Sequence, residues 1–368
     1  MAKGFTLSVY PWTYLAKYKP EDGWIEEYQE KPHKSLLEET SLDGDVLGEM
    51  LQSRNSFQEL PLVNYTTQYG FGCFEGLKAF PQRDGSLKLF RPDENAKRFA
   101  KSMVGLKMPS FPEKLFISAM QGVVRKNAAL GFTPPFQSSW ENDDFGTASA
   151  VYLRPFSYSE PAIGLGLSSE PWVVTVATTV GSYFRPGKAS AVTTGRVRAV
   201  PGGTGWIKCN ANYVTPILAK KEAEAEGYME AIFLDATDRK FIEEGSSCNI
   251  FFLLKDGALV TPDLQDTILP GVTRKSVLTL AQDSDIKTQE RKISIEEAMD
   301  QSQEVFVTGT AAGISYIESI THDGKTARFA GSKMGEVTRC LLKTLKGIQF
   351  GAVEDTHNWM LPDHPTTK

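Results

Sequence analysis

The segment Pro201–Tyr213, PGGTGWIKCNANY, constrains this chain more than any other stretch. Its glycine-rich turn comes just before Lys208, and Tyr213 follows five residues later. A lysine amine presented by such a turn can act as a covalent catalyst, because it can condense with an aldehyde cofactor to form an imine. A nearby phenol could then tune the proton affinity of that imine. Taken alone, the segment is also typical of a surface lysine and a core tyrosine.

Length and composition describe an ordinary globular protein. The 368 residues correspond to about two domains on the usual length prior, and 41% hydrophobic with 23% charged residues is a typical balance. The net charge of −5 gives no basic excess, so nucleic acid is not expected as a partner. No apolar run reaches the ~20 residues of a membrane span. The N-terminus also lacks the clean apolar core of a secretory signal.

Cysteine and histidine usage disfavours several kinds of site. The four cysteines are far apart and form no C-x-x-C pair, which favours a reduced, cytoplasmic setting. The four histidines lack metal-ligand spacing, so no metal site is predicted. A Ser-His-Asp hydrolase is disfavoured as well, because the sequence contains no G-x-S-x-G elbow.

We predict an α/β fold, of the α+β type, in two domains. A smaller N-terminal domain would span residues 1–179, with the polar, turn-rich residues 1–60 as an extension packed on it. Residues 180–192 would form the interdomain linker, since they lie in a mixed stretch that contains proline and glycine. Residues 193–368 would form a larger C-terminal domain that holds Lys208.

Local patterns predict individual elements within these domains. Residues 64–80 and 87–90 are typical of the two strands of a hairpin, with Asp84-Gly85 as the turn. Helices are expected over 95–106 and 112–130. Later elements are expected as a helix over 215–226, short strands at 231–234, 241–244, 249–254 and 258–261, and a capping box at Ser294–Glu297.

The segment Phe241–Asn249, FIEEGSSCN, places two acids at the end of a β run, just before a Gly-Ser-Ser turn. A carboxylate at this position can pair with a protonated pyridine nitrogen and keep such a ring a strong electron sink. A solvated pair of acids at a strand end is the plainer alternative.

Two glycine-containing turns are suited to anion binding. In Leu269–Arg274, LPGVTR, a Pro-Gly turn leads into a helix start, whose backbone N–H groups and dipole favour a phosphate. An ordinary capped helix would have the same pattern. In Gly309–Gly313, GTAAG, small residues let the backbone approach a ligand, and consecutive N–H groups can bind an anion. A simple tight turn is the alternative.

Two arginines end probable strands. Arg91 lies in Phe-Arg-Pro and Arg154 in Tyr-Leu-Arg-Pro. One could bind a phosphate and the other a substrate carboxylate, because guanidinium groups bind planar anions through two hydrogen bonds. Solvated arginine is the default for either one alone.

Together and in this order, the segments resemble the branched-chain amino-acid aminotransferases of the fold-type IV pyridoxal-phosphate enzymes. The resemblance runs from about Asn64 to Ile317 and covers most of the chain. The motifs that carry it are YGFGCFEGLKAF, LFRPDENAKRF, VYLRPF, PGGTGWIKCNANY, FIEEGSSCNIFF, LPGVTR and VFVTGTAAG. It implies the two-domain fold of that family, pyridoxal 5'-phosphate as cofactor, and a homodimer with active sites near the interface.

The implied reaction is ping-pong transfer of an amino group between L-leucine, L-isoleucine or L-valine and 2-oxoglutarate. It would give branched-chain 2-oxo acids and L-glutamate, and the reverse direction would serve branched-chain amino-acid biosynthesis; the sequence leaves the direction open. An aromatic pocket with one reachable cation can serve both half-reactions, since it binds an apolar chain by burial and glutamate by charge.

The resemblance also carries roles onto matching positions. Lys208 would hold the cofactor and move the Cα proton, and Tyr213 would meet the cofactor's phenolic oxygen. Glu244, rather than Glu243, would pair with the pyridine nitrogen. Further cofactor-binding positions are Arg91, Leu269, Gly271, Val272, Thr273, Gly309 and Thr310. Substrate-binding positions are Tyr69, Phe74, Lys78, Tyr152, Arg154, Tyr183, Thr310, Ala311 and Ala312. Among these, Arg154 would meet the side-chain carboxylate of glutamate.

Beside the lysine, this sequence differs from the usual sequence of the family. Residues 209–212 replace a glycine-containing run, and Trp206 lies two residues before Lys208. The GTAAG turn lacks the C-x-x-C pair of mammalian relatives, so no thiol switch is expected there. Two alternatives stay open: another fold-type IV enzyme (a D-amino-acid or amine transaminase, or aminodeoxychorismate lyase), and a non-catalytic binding or regulatory protein.

Overall fold

The computed structural model describes residues 9–30, 60–145, 148–181 and 189–363. The chain divides into two compact units. The first comprises Met1–Tyr183, Lys208–Ala211 and Gly347–Lys368, and the second comprises Phe184–Ile207 and Asn212–Lys346. Helices and strands mix in both units, which confirms the predicted α+β class.

The first unit contains a seven-stranded antiparallel sheet. In sheet order its strands are β17 (Met360–Pro362), β4 (Leu87–Phe90), β3 (Leu77–Pro81), β5 (Ala150–Tyr158), β6 (Trp172–Val180), β1 (Trp12–Lys19) and β2 (Gly23–Glu30). Its described helices are α1 (Tyr65–Tyr69), α2 (Pro92–Gly105) and α3 (Glu113–Ala128). Phe99 of α2 and Phe116 of α3 join the two helices in the core, with ring centroids 5.6 Å apart.

The N-terminal residues that the structure describes belong to this sheet and are not a packed-on extension. Strand β1 lies between β6 and β2, and it buries Tyr14, Leu15 and Ala16. A run of aromatic and aliphatic side chains therefore places these residues in the core. Residues 1–8 and 31–59 of the predicted extension lie outside the described residues.

The predicted hairpin at Asp84-Gly85 is confirmed, since β3 and β4 pair across it. The predicted strand over 64–80 is wrong for its first part, which forms the short helix α1. The Asn64 side chain caps that helix by accepting the Thr67 N–H at 2.9 Å. The left-handed backbone of Gly70, with φ of 66°, ends it.

The second unit contains two five-stranded sheets. The first sheet, in order, is β12 (Thr288–Glu290), β11 (Leu259–Thr261), β10 (Asn249–Leu254), β13 (Ser302–Gly309) and β14 (Gly313–Ile317). The other is β16 (Lys325–Arg328), β15 (Ser319–His322), β7 (Ser190–Thr193), β8 (Glu230–Leu234) and β9 (Ile242–Gly245). The helices are α4 (Val214–Ala225), α5 (Val272–Asp283) and α6 (Ile295–Gln301), and α7 (Glu336–Gln349) begins in this unit.

Strand register in the first of these sheets brings the predicted Gly-Ser-Ser and GTAAG turns to the same end of two neighbouring strands. Asn249, the first residue of β10, pairs with Thr308 near the end of β13. The turn before β10 and the turn after β13 therefore lie side by side. Of the predicted capping box of α6, the Ser294 half is observed, because the Glu297 N–H donates to Ser294 Oγ at 3.1 Å. The Glu297 carboxylate accepts from Arg291 Nη2 at 2.6 Å instead.

The division of the chain differs in detail from the predicted domain ranges. Lys208 was expected after the linker in the C-terminal domain, whereas Lys208–Ala211 group with the first unit. Residues 182–188 of the predicted linker lie outside the described residues, and its last part begins β7 at Ser190. None of the described helices is long and apolar enough to cross a membrane.

Candidate active site

Backbone hydrogen bonds hold Lys208 within the first unit. Its C=O accepts the Phe74 N–H at 3.0 Å, and its N–H donates to Ser102 Oγ on α2 at 3.2 Å. Two residues later, the Asn210 N–H donates to the Gly72 C=O at 2.8 Å. These contacts explain why a segment so late in the sequence groups with the first unit.

Lys208 lies with three of the predicted substrate-binding side chains. Its Nζ is 4.7 Å from the centroid of the Phe74 ring. The Arg154 guanidinium carbon lies 4.7 Å from that ring centroid and 5.3 Å from the Tyr152 centroid. Arg154 Nη2 donates to Tyr152 Oη at 2.8 Å. One amine, two aromatic rings and one guanidinium are thus brought together.

The backbone of Gly76 makes room for Tyr152. A Cβ at position 76 would lie 2.1 Å from Tyr152 Oη, so glycine is required here. Lys78 is opposite Tyr152 in the β3–β5 register, which places it beside this group. Tyr69 ends α1 and is exposed, and Tyr183 lies outside the described residues.

The environment of Lys208 makes its amine easier to deprotonate than an ordinary lysine. Its pKa is lowered from 10.5 to about 8, chiefly by desolvation and then by the Arg98 charge. Glu75 and Tyr152 act in the opposite direction, and Arg154 adds a smaller lowering effect. An amine with a pKa near 8 is about one-tenth neutral at pH 7, roughly several hundred times more than an ordinary lysine, and the neutral form is the nucleophilic one.

Arg91 is a buried cation at the N-terminus of α2. Its backbone adopts a left-handed conformation with φ of 48°, and its N–H donates to the Trp359 C=O at 2.7 Å. The guanidinium carbon lies 4.7 Å from the Trp359 ring. Burial lowers the pKa of Arg91, with Glu94 opposing the shift. The guanidinium is therefore rigidly held, as an anion-binding group needs to be.

In the second unit, Glu244 is the centre of a buried polar cluster. Its Oε1 lies 2.7 Å from Arg198 Nε. Its Oε2 accepts Asn249 Nδ2 at 3.1 Å and the Leu269 N–H at 3.3 Å. Asn249 Nδ2 also donates to the Leu269 C=O at 3.0 Å. The acid at the end of β9 is thereby tied to the start of the LPGVTR turn.

The neighbouring acid has a different environment. Burial raises the pKa of Glu243, although a hydrogen bond from Thr267 and the Arg198 charge oppose the shift. Glu244, by contrast, has a guanidinium within ion-pair distance. A cation at that distance favours the ionised carboxylate, so Glu244 is the better counterion for a protonated ring nitrogen.

The two predicted anion-binding turns lie beside this cluster. Gly271 caps the N-terminus of α5 without a side-chain cap hydrogen bond, and Val272 and Thr273 follow it as buried residues. A Cβ at Gly271 would lie 2.0 Å from Asn249 Oδ1, so the amide of Asn249 occupies the space of a side chain. Gly309 begins the β13–β14 turn, which continues with the partly buried Thr310, Ala311 and Ala312.

Tyr213 ends a 3₁₀ turn, Asn210–Tyr213, and directly precedes α4. Its neighbour Asn212 donates to the Thr204 C=O at 2.7 Å and to the Ile207 C=O at 3.0 Å. The side chain of Asn212 therefore fixes the glycine-rich loop that precedes the lysine. Tyr213 itself is partly buried.

Several residues that build the site were not predicted from the sequence. They are Arg198, which binds Glu244; Asn249, which links Glu244 to Leu269; Asn95 and Arg98, which bind the buried Glu75 next to Phe74; Ser102, which accepts the Lys208 N–H; and Trp359, which packs on Arg91. Asn95, Arg98 and Ser102 follow one helical face, which was a usable signal. The Arg198–Glu244 pair joins residues far apart in sequence and leaves no local pattern.

Comparison with known proteins gives consistent matches. A family model described as Amino-transferase class IV matches residues 72–320. The branched-chain-amino-acid aminotransferase of Mycobacterium tuberculosis is 39% identical over 304 residues, which are 79% of this chain and 80% of that protein.

Solved structures agree with the sequence matches. The branched-chain aminotransferase of the archaeon Thermoproteus uzoniensis, solved with norvaline, is 30% identical with a TM-score of 0.71, covering 84% of this chain and 96% of that one. The T.th. branched-chain amino acid aminotransferase, solved with pyridoxamine 5'-phosphate, is 26% identical with a TM-score of 0.70, covering 84% and 95%.

Proposed function

Because this chain belongs to the class IV aminotransferase family, we propose that it transfers an amino group between branched-chain L-amino acids and 2-oxoglutarate, with pyridoxal 5'-phosphate as cofactor. The substrates would be L-leucine, L-isoleucine and L-valine, and the products branched-chain 2-oxo acids and L-glutamate. The observation that carries the proposal is the Lys208 amine, with a pKa near 8, beside Phe74, Tyr152 and Arg154.

The residues of this chain fit that cofactor. When bound, pyridoxal phosphate supplies a carbonyl that attaches to an amine and a ring that takes up the electrons released at the substrate Cα. Lys208 is the amine proposed for the attachment. Glu244, paired with Arg198, is the buried anion that a protonated ring nitrogen requires. Tyr213 is proposed to donate a hydrogen bond to the phenolic oxygen.

The phosphate group has several proposed partners. Arg91 supplies a buried guanidinium, and Gly271, Val272 and Thr273 supply backbone N–H groups and a hydroxyl at the start of α5. The remaining proposed positions are Leu269, Gly309 and Thr310.

Substrate binding follows from the residues around Lys208. The rings of Phe74 and Tyr152 would bury a branched apolar side chain, and burial of apolar area supplies the affinity. Arg154 would bind the distal carboxylate of glutamate through a charge-assisted hydrogen bond. Other proposed pocket residues are Tyr69, Lys78, Tyr183, Thr310, Ala311 and Ala312.

Proton transfer is assigned to Lys208. Once the substrate amine has displaced it, its neutral amine would accept the Cα proton and return it to the neighbouring carbon. A general base works best when its pKa lies near the operating pH, and a value of about 8 meets that condition. In the second half-reaction, with 2-oxoglutarate, Lys208 would move the proton in the opposite direction.

Single-turnover spectra with a panel of amino acids test this function. The protein loaded with cofactor is expected to react with L-leucine, L-isoleucine, L-valine and L-glutamate, and to recover its spectrum with 2-oxoglutarate. Reaction with D-amino acids or simple amines instead would assign another transaminase activity. Release of pyruvate from aminodeoxychorismate without an acceptor would assign a lyase.

Assembly as a homodimer is proposed from the family resemblance and from an apolar surface on the first unit. Leu62 and Val63 lie beside Ile163, Leu165 and Leu167, all exposed, and the Ala162 N–H donates to the Val63 C=O at 3.1 Å. A monomeric protein rarely leaves such a patch uncovered. Sedimentation of the wild-type protein and of Leu165→Glu is the test; a wild-type monomer would refute the dimer.

A cytoplasmic setting is proposed from cysteine usage alone. All four cysteines are free thiols, and three of them are buried. Free, separated thiols are typical of reducing compartments. Cell fractionation with an antibody against the chain would test it.

A further inference from the structure

One face of α2 connects a buried carboxylate to the lysine segment. Arg98 donates from Nε to Glu75 Oε1 at 2.6 Å and from Nη2 to Oε2 at 2.8 Å. Asn95 Nδ2 donates to Oε2 at 2.8 Å. Ser102, one helical turn beyond Arg98, accepts the backbone N–H of Lys208. The three side chains occupy one stripe of the helix, at spacings of three and four residues.

The chain next to Glu75 binds the lysine segment from the other side. Phe74 donates its N–H to the Lys208 C=O, and its ring lies under Nζ at 4.7 Å. Glu75 follows directly, and its own N–H donates to the Pro155 C=O at 2.8 Å. Glu75 and Lys208 are therefore held by the same two elements, α2 and the 72–75 run.

The burial of this pair needs an explanation beyond stability. Glu75 is completely buried and Arg98 is 8% exposed. Buried ion pairs are weak stabilisers, because the loss of hydration offsets much of their attraction. Burial by itself would raise the pKa of Glu75, yet Arg98 and then Lys208 and Asn95 hold that pKa below its usual value. A charged carboxylate is thus maintained next to Phe74, whose backbone and ring both contact Lys208.

We propose that Glu75 and Arg98 are positioning residues for Lys208: their buried ion pair, held by Asn95, fixes the face of α2 and the 72–75 run that bind the lysine backbone through Ser102 and Phe74, and so places two opposed charges in a fixed position relative to its amine. This inference rests on the proposed role of Lys208 as the covalent lysine. Arg98 favours the neutral amine needed for attack, and Glu75 favours the ammonium needed to return a proton. Tyr152 and Arg154 also act on the amine, and they belong to the substrate pocket.

Opposite shifts in two matched variants test the proposal. Glu75→Gln leaves the Arg98 charge uncompensated, so the pKa of Lys208 should fall by about one unit, a tenfold change in the ratio of neutral to charged amine. Arg98→Gln should raise the pKa by a similar amount. The double variant removes both charges and should return the pKa to within about half a unit of wild type.

The measurement is the pH dependence of Lys208 acetylation by acetic anhydride, read by mass spectrometry on the full-length cofactor-free chain. Lys346 in the second unit is the internal control, since desolvation lowers its pKa to about 8 as well. Its titration should not change in any variant. Single-variant shifts in the same direction, or an unshifted Lys208 in either one, would overturn the proposal.

The test can still be read if one variant does not fold, and the lysine that carries the cofactor is identified by a separate measurement. If one single variant does not fold, the other single variant and the charge-free double variant are read, and a shift of a full unit in the double variant counts against the proposal. Borohydride reduction of the loaded protein locates the cofactor independently. Attachment at Lys208 without opposed shifts overturns this inference alone, whereas opposed shifts with attachment elsewhere overturn the proposed function.

Discussion

Arg198 Nε lies 2.7 Å from Glu244 Oε1, and each side chain is only 6% exposed. Arg198 also donates from Nη2 to the Gly205 C=O at 3.1 Å, so one guanidinium joins the glycine-rich loop to the buried acid. A cation at this distance stabilises a carboxylate, which is the form that pairs with a protonated ring nitrogen.

Removal of that cation should weaken both stability and chemistry. Arg198→Met leaves a buried, unpaired carboxylate, which costs about 3–5 kcal/mol of unfolding free energy. Because the charge beside Glu244 is lost, the leucine half-reaction should slow at least about tenfold, equivalent to about 1.4 kcal/mol. Urea unfolding and stopped-flow spectra measure the two effects.

Two controls accompany this variant. Arg198→Lys keeps the charge and should recover part of the rate. Arg291→Met removes the partly exposed Arg291–Glu297 pair of the same unit and should leave the half-reaction unchanged. A full rate in Arg198→Met would show that Glu244 does not need its cation.

Attachment of pyridoxal phosphate should have an unusual pH dependence. Only the neutral amine attacks, and a pKa of about 8 means that half of Lys208 is neutral at that pH. The attachment rate of the cofactor-free protein should therefore rise with pH up to about 8 and then level off. An ordinary lysine would give a rate that continues to rise toward its pKa of about 10.4. Continued increase above about pH 9 would contradict the lowered pKa.

Arg154 should discriminate between the two kinds of substrate. Arg154→Gln removes one charge-assisted hydrogen bond to the distal carboxylate of glutamate, worth about 1.5–3 kcal/mol. The KM for 2-oxoglutarate should rise about 10–100-fold, while the leucine half-reaction changes much less. Arg83→Gln, an exposed arginine paired with Glu141, is the matched control and should alter neither. Equal losses with leucine and 2-oxoglutarate would argue against this role.

Gly271 should be intolerant of even one added methyl group. In Gly271→Ala the new Cβ would meet Asn249 Oδ1 at 2.0 Å, displacing the amide that holds Glu244 and Leu269. Cofactor affinity should fall at least about tenfold, or about 1.4 kcal/mol. Gly195→Ala has no atom within 4 Å of the added Cβ and serves as the control. Equal cofactor affinity in both variants would exclude a positional role for Asn249.

Features that depend on short, contiguous sequence patterns can be predicted from the sequence alone. The Asp84-Gly85 hairpin, the Ser294 N-cap of the predicted capping box and the LPGVTR helix start are all present. The grouping of Lys208, Phe74, Tyr152 and Arg154 was implied by the family resemblance and is observed within one unit. Each of these features is local or lies in a recognisable motif.

Side-chain contacts between residues far apart in the sequence could not be predicted from local patterns. Arg198 meets Glu244, and Trp359 meets Arg91, only because strands and the C-terminal segment bring them together. The same holds for Lys208, which joins the first unit through Phe74 and Ser102. Strand β1 was missed because its short apolar run lies in a stretch of otherwise polar composition.

Borohydride reduction of the pyridoxal-phosphate-loaded protein, followed by digestion and mass spectrometry, tests the central claim most directly. Within the part of the chain that the structure describes, Lys208 and Lys346 both have a pKa lowered to about 8, so reactivity alone does not decide between them. We predict that the reduced cofactor is found on the peptide containing Lys208, and that Lys208→Ala stays colourless and inactive while Lys346→Ala is labelled like wild type. Reduced cofactor on Lys346 or on another lysine, or full transaminase activity in Lys208→Ala, would contradict the account.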